Sequence, residues 1–318
     1  MKKDSTRSDL NQVLAQGSLT FHFASRLFDP AIQTKVELLY HYLRVSDDWF
    51  DERKPEPQDF VFWKDLTLAA LRNEANKTPQ TAFDCFGSLH RLQRLLGSPL
   101  PEPWFEDFLT GMQLDFDHKP LENEEQLKSY AYHVAGVIGL MMAHIMQATS
   151  AKALQSAVWL GMAMQLTNIA RDVLKDYQNN RIYLPQTWLQ DEGFKDMADF
   201  MGAHRANPKD IRIFRVIERL LNLADQYYEV AQEGYHELNF RCRLVIQIAQ
   251  LLYQAIGHKI KRQRILKFRV STHYWEKCFY FLKGWFLCLY KRPPPLKMQS
   301  PLYSPYSPLA TPLKLDPY

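Results

Sequence analysis

The chain has 318 residues, 46% of them hydrophobic and 23% charged, which is enough apolar material for a large core in one domain or two. Its 12 glycines are too few for a fold built on tight hairpins or glycine-rich phosphate loops, and a net charge of +4 gives no reason to expect nucleic acid. The four cysteines, Cys85, Cys242, Cys278 and Cys288, form no CxxC pair, so neither a zinc centre nor a disulfide framework is expected, and reduced cytoplasmic thiols are the simpler reading.

Met1 to Gln12 is polar and has no apolar core of a secretory signal. Beyond Asp29-Pro30, the apolar residues Leu38, Tyr42, Val45 and Trp49 recur at three- and four-residue spacing. Pro55 and Pro57, Pro99 to Pro103, Lys119-Pro120 and Pro185 then punctuate the chain. Trp159, Met162, Leu166 and Ile169 form a second stripe, and Leu244, Ile248, Leu251, Leu252 and Ala255 a third. This is the helical period; alternation at period two is hard to find, so the reading is all-α, with one domain over residues 1–290.

A basic stretch comes next, with Lys259, Lys261, Arg262, Arg264, Lys267 and Arg269. It reads as a solvated helix face or as a contact for diphosphate or anionic lipid. The aromatic run from Tyr274 to Tyr290 is interrupted by Glu276, Lys277 and Lys283, too short and too charged to span a bilayer. It is either a last core helix, burying Trp275 and Phe286, or a helix lying in a membrane interface. Eight of the 18 prolines fall from Pro293 onward, so 291–318 is expected to be an extended or disordered tail.

Two segments carry the chemistry. In Arg44-Val45-Ser46-Asp47-Asp48-Trp49-Phe50-Asp51, Asp47 and Asp51 stand four apart, one helical turn on one face, with Tyr40 and Arg44 on much the same side. Two carboxylates so placed suit a hard cation that takes its other oxygens from water and phosphate. The same spacing returns in Asp172 and Asp176, with Asn168 and Gln165 continuing the polar line toward the N-terminus. A helix with Leu166, Ile169 and Val173 on its other side buries such a polar line only at a cost, unless the line meets a ligand or metal. Arg171 and Arg181 add charge-assisted contacts for diphosphate oxygens.

The segment Gln165 to Pro185, QLTNIARDVLKDYQNNRIYLP, closely resembles the second aspartate-rich signature of the phytoene and squalene synthases. Arg44 to Asp51 resembles their first. Gly17-Ser18-Leu19-Thr20-Phe21 resembles their N-terminal segment, with Thr20 where Ser is usual. Gly111-Met112 with Asp115, Tyr130 to Gly136 and Gly139 to Met142 resemble the middle region. Tyr253 to Ile256 resembles the late tyrosine-containing helix, and Phe268 to Ser271 the segment after it.

The resemblance implies an isoprenoid-synthase-type helical array around a central apolar cavity. It implies Mg²⁺, with Mn²⁺ as a substitute, on Asp47, Asp51, Asn168, Asp172 and Asp176, and no redox cofactor. Substrate contacts would fall to Ser18, Thr20, Phe21, Tyr40, Arg44, Gln165, Asn168, Arg171, Arg181, Tyr183 and Arg269. The rings of Tyr132 and Tyr253 would stand beside the cations of the reaction. The reaction implied is head-to-head joining of two geranylgeranyl diphosphates to phytoene, most like the bacterial enzymes. Its alternatives are a squalene or dehydrosqualene reaction on farnesyl diphosphate, head-to-tail elongation, and a helical homologue acting only as an assembly factor. A cytoplasmic protein held peripherally at the inner face of the membrane completes the expectation.

Overall fold

The computed structural model describes residues 25–53, 56–72, 74, 84–148, 150–264, 266 and 274–290. Ser18, Thr20, Phe21, Arg269 and the stretch 291–318 lie outside these residues, as do the side chains of Asp51 and Trp275. The described residues form twelve α-helices and no strand. They are α1 (Pro30–Arg53), α2 (Pro57–Leu71), α3 (Asp84–Leu95), α4 (Glu102–Phe116), α5 (Glu124–Ala131) and α6 (Val137–Ile145). After these come α7 (Ala151–Gln178), α8 (Gln186–Asp191), α9 (Met197–Ala206), α10 (Ile211–Ala231), α11 (Phe240–Gln263) and α12 (Tyr274–Tyr290). A π-helical turn, Tyr132–Gly136, joins α5 to α6, and a 3₁₀ turn, Gln232–Glu237, ends α10.

The helix starts obey the local sequence. Pro30 and Pro57 open α1 and α2, where the missing N–H costs nothing. Side chains of Asn123, Ser150, Asp196, Asp210 and Asn239 accept from free backbone N–H groups at the starts of α5, α7, α9, α10 and α11.

The longest helix, α7, has 28 residues and so runs about 42 Å through the molecule. It packs on α6, the π turn, α10, the 3₁₀ turn and α11. Trp159, Met162, Leu166, Ile169 and Val173 are buried along it, as their spacing predicts. On one side the approach is backbone to backbone. A Cβ on Gly139 of α6 would lie 2.1 Å from Ala157 O, and one on Gly161 of α7 would lie 2.2 Å from Ala135 O. Neither contact can yield by moving a flexible side chain, so glycine is required at both crossings.

At the far end of the chain, Gly284 of α12 sits against Ile248 of α11. The outer face of α12 is uncovered, with Phe279, Leu282, Trp285 and Phe286 at 60%, 66%, 44% and 60% exposure. The core-helix reading of this segment is therefore corrected for Phe286: the glycine, and not the bulky aromatics, makes the close approach. In the basic stretch, Lys261 Nζ pairs with Asp225 Oδ2 at 2.7 Å, while Arg262 and Arg264 are exposed.

Candidate functional site

Helices α1, α4, α6, α7 and α11, with both irregular turns, surround a cavity of about 650 Å³. One stripe of α7 lines it from end to end: Ala153, Ser156, Ala157, Leu160, Met164, Gln165, Asn168, Asp172 and Asp176. At 1.5 Å per residue this stripe covers about 35 Å. Its chemistry changes along the way. From Gln165 onward it is amide and carboxylate; before that it is aliphatic or small, and Ile138, Met142 and Met146 of the neighbouring wall match it. A ligand shaped to this space has a charged head and a long apolar body.

At the polar end, Arg44 of α1 bonds Asp47 at 3.1 Å and Asp48 at 2.5 Å, which holds the Asp47 carboxylate at the rim. Across the cavity, Arg171 grips Asp172 with two guanidinium contacts. Asp176, one turn on, is pushed up to about 7, first by burial and then by the charge of Asp172. Asn168 donates to Gln165 Oε1 at 3.4 Å, and its Oδ1 is buried with no hydrogen-bond partner. Among the described residues no three acidic, histidine or cysteine side chains converge on one point. A cation held here therefore takes part of its coordination from a ligand. An orphaned amide oxygen beside two carboxylates, one of them strained toward protonation, fits a hard cation and a diphosphate together.

Tyr40, Arg44, Asp47, Gln165, Asn168, Arg171, Asp172, Asp176, Arg181, Tyr183 and Tyr253 all line this one cavity, although they come from segments more than 200 residues apart. Burial pushes the Tyr40 hydroxyl up to about 12, so it stays a neutral donor. Tyr132 does not join them. Its hydroxyl donates to Asp107 of α4 at 2.7 Å, and the cavity is lined by Tyr130 instead.

Asp115 of α4 belongs to the site, although nothing in the sequence gave it a role there. Its Oδ1 accepts from Tyr130 at 2.8 Å and from the Tyr183 hydroxyl, and its Oδ2 faces Arg181 at 3.5 Å. One carboxylate thus ties α5 and the loop after α7 to α4. The only hint in the sequence was its position beside Gly111-Met112, because its partners share no helix with it.

The profile of the squalene/phytoene synthase family matches residues 14–276. The phytoene synthase of Pseudescherichia vulneris is 36% identical over 261 residues, covering 79% of this chain and 81% of that one. The 15-cis-phytoene synthase of a Paracoccus species is 34% identical over 273 residues, covering 82% and 84%. Among solved structures, a dehydrosqualene synthase in complex with ligand superposes with a TM-score of 0.77 at 24% identity, covering 89% of this chain and 96% of that one. A squalene synthase from Alicyclobacillus acidocaldarius gives 0.69 at 17% identity, covering 81% and 93%. At such identities the two structures speak for the all-α fold alone.

Proposed function

The chain belongs to the squalene/phytoene synthase family, and from that premise and the form of the cavity we propose that it joins two geranylgeranyl diphosphates head to head to make phytoene. The observation that carries this reading is the single stripe of α7, carboxylate and amide at one end and apolar for the rest of its length. In the reaction, diphosphate leaves one molecule and the 2,3 double bond of the second attacks the allylic cation. Loss of a proton closes a cyclopropyl diphosphate. The second diphosphate then leaves, the cation rearranges, and loss of another proton forms the central double bond.

The chain's own residues supply binding, orientation and exclusion of water. Arg44, Arg171 and Arg181 meet diphosphate oxygens at the polar end. Asp47, Asp51, Asn168, Asp172 and Asp176 would hold Mg²⁺ or Mn²⁺, which when bound neutralises the charge of a departing diphosphate. The Tyr253 ring, part of the cavity wall, stabilises the cation without capturing it. Ile138, Met142, Met164 and Leu160 keep water from the cation, which would otherwise end as an alcohol.

The product is a long hydrocarbon with no place in water. We extend the proposal to peripheral association with the cytoplasmic face of a membrane through the uncovered face of α12. Among the described residues no helix is long and apolar enough to cross a membrane. The deciding experiment incubates the protein with Mg²⁺ and geranylgeranyl or farnesyl diphosphate and identifies the hydrocarbon by mass. Phytoene is expected from the first. Replacing Asp47, Asp51, Asp172 or Asp176 by Ala should each remove most turnover with helicity kept. Near-normal turnover by the Asp172 variant would overturn the reading.

A further inference from the structure

The apolar end of the cavity is closed by some of the smallest side chains in its wall. Ala153 and Ser156, in the first two turns of α7, are 5% and 3% exposed and both line the space. Gly234 of the 3₁₀ turn lies directly on them. A Cβ at 234 would fall 2.6 Å from Ser156 Cβ and Oγ and 3.2 Å from Ala153 Cα. Met146 and Leu238 complete this end. Ser156 Oγ is buried without a hydrogen-bond partner, although the wall around it is largely aliphatic.

The position of these residues gives them leverage. Along α7, Ser156 stands about 18 Å from Asn168 and Ala153 about 22 Å, measured by helical rise. A side chain enlarged in the middle of the cavity would narrow it. One enlarged here would shorten it, and leave the polar end where the chemistry occurs untouched. The bonding of the polar end treats every prenyl diphosphate alike, because the head group is common to all of them. Discrimination by length therefore falls to the far end.

We infer that Ala153, Ser156 and Gly234 form the floor that sets chain length, leaving room for the fourth isoprene unit of a twenty-carbon diphosphate. This rests on the prenyl-diphosphate reading above and deepens it. Leucine at 153 or 156 adds part of the volume of one isoprene unit, enough to obstruct the end of a four-unit chain. A three-unit chain stops short of it.

The test gives the full-length protein equal concentrations of geranylgeranyl and farnesyl diphosphate with Mg²⁺ and separates the hydrocarbons by mass. Wild type should give mainly the forty-carbon product. In Ala153→Leu and Ser156→Leu, kcat/KM for the longer substrate should fall about tenfold or more, with that for the shorter one changed by less than roughly threefold. Thirty-carbon product should rise accordingly. Ser156→Ala should keep the wild-type ratio, since it removes the hydroxyl and no room. An unchanged ratio in the Leu variants, or an equal fall for both substrates, overturns the inference. If the Leu variants do not fold, Ala153→Val and Ser156→Val must shift the ratio the same way by roughly threefold, and no shift counts against the floor. Affinities of the non-reactive thiolo analogues of the two diphosphates supply the same ratio without turnover. A wild type that binds both and converts neither refutes the reaction, and the binding ratio still decides the floor.

Discussion

Tyr130 and Tyr183 stack with ring centroids 4.7 Å apart and planes 21° from parallel, and both hydroxyls donate to the same oxygen of Asp115. Tyr183 and Arg181 sit on the loop after α7, so this pair and its carboxylate fix where that loop meets the cavity. Asp115→Ala leaves the Tyr130 and Tyr183 hydroxyls without this acceptor and takes the Asp115 carboxylate away from Arg181. Hydrogen bonds to a charged group contribute about 1.5–3 kcal/mol each. We expect kcat/KM to fall on the order of a hundredfold, and inhibition by inorganic diphosphate to weaken because Arg181 is no longer aimed. Tyr183→Phe should lose about tenfold. Unaltered diphosphate inhibition in the Asp115 variant would show that the carboxylate only packs.

Asp176 makes the site sensitive to pH. Burial, then the Asp172 charge, raises its carboxyl to about 7, far above the ordinary carboxylate range. Between that ordinary range and about 7 the folded chain holds a proton that the unfolded chain has lost. This contribution to stability is complete below the unfolded pKa and is lost as pH rises through about 7. Without metal, the melting temperature should therefore decline between pH 5 and pH 8, and Asp176→Asn should flatten the decline. Added Mg²⁺ competes with the proton, so its apparent affinity should climb with pH and level off above about 7. Melting curves with and without Mg²⁺ across this range check both statements, and an affinity independent of pH would remove Asp176 from the ion's partners.

Asn168 offers a way to separate function from stability. Its Oδ1 is buried and unpartnered, a state that costs about 1–3 kcal/mol. Truncation to Ala removes that atom and leaves a small cavity in its place. We expect Asn168→Ala to melt within a few degrees of wild type, while turnover drops by about two orders of magnitude. A variant that melts much earlier, with activity lost only in proportion to the unfolded fraction, would make Asn168 a structural residue.

The polar line of Gln165, Asn168, Asp172 and Asp176 was legible in the sequence because all four lie on one helix, where spacing alone decides which face they share. The buried stripes of α7 and α11 were legible for the same reason, while in the α1 stripe Leu38 and Tyr42 are buried and Val45 and Trp49 only partly so. Asp115 was not. Its partners stand 15 and 68 residues away on other elements, and no periodicity connects them. Tyr132 was expected at the site and Tyr130 was not: the two stand two residues apart, on different faces of a helix, and only tertiary packing decides which of them meets the cavity. That left Tyr132 on Asp107 and gave the cavity to Tyr130. In α12 the composition was plain, but which side would be covered depended on Gly284 meeting α11, a tertiary fact that a count of aromatics does not contain.

The side of α12 turned away from α11 is an uncovered apolar row. Phe279, Leu282 and Phe286 succeed one another at helical spacing with Trp285 beside them, and the Trp285 ring meets Phe240 of α11 edge-on at 5.7 Å. Arg243 stands over the Phe240 ring and Lys283 over Tyr280, so cations border the apolar row. Aromatic rings with cations at their margin suit the interfacial layer of a bilayer, where each Lys or Arg near an anionic surface adds about 1 kcal/mol. The other wall of α11 lines the cavity through Ile246, Ala249 and Tyr253, so a membrane on α12 would lie one helix away from the product. Wild type should float with anionic vesicles at low salt and release partly at high salt. A variant with Phe279, Leu282 and Phe286 changed to Ser should float far less while keeping its activity in detergent. A variant with Lys261 changed to Gln should differ little, since Lys261 is already paired with Asp225. If the Ser variant floats as well as wild type, α12 is not the membrane surface.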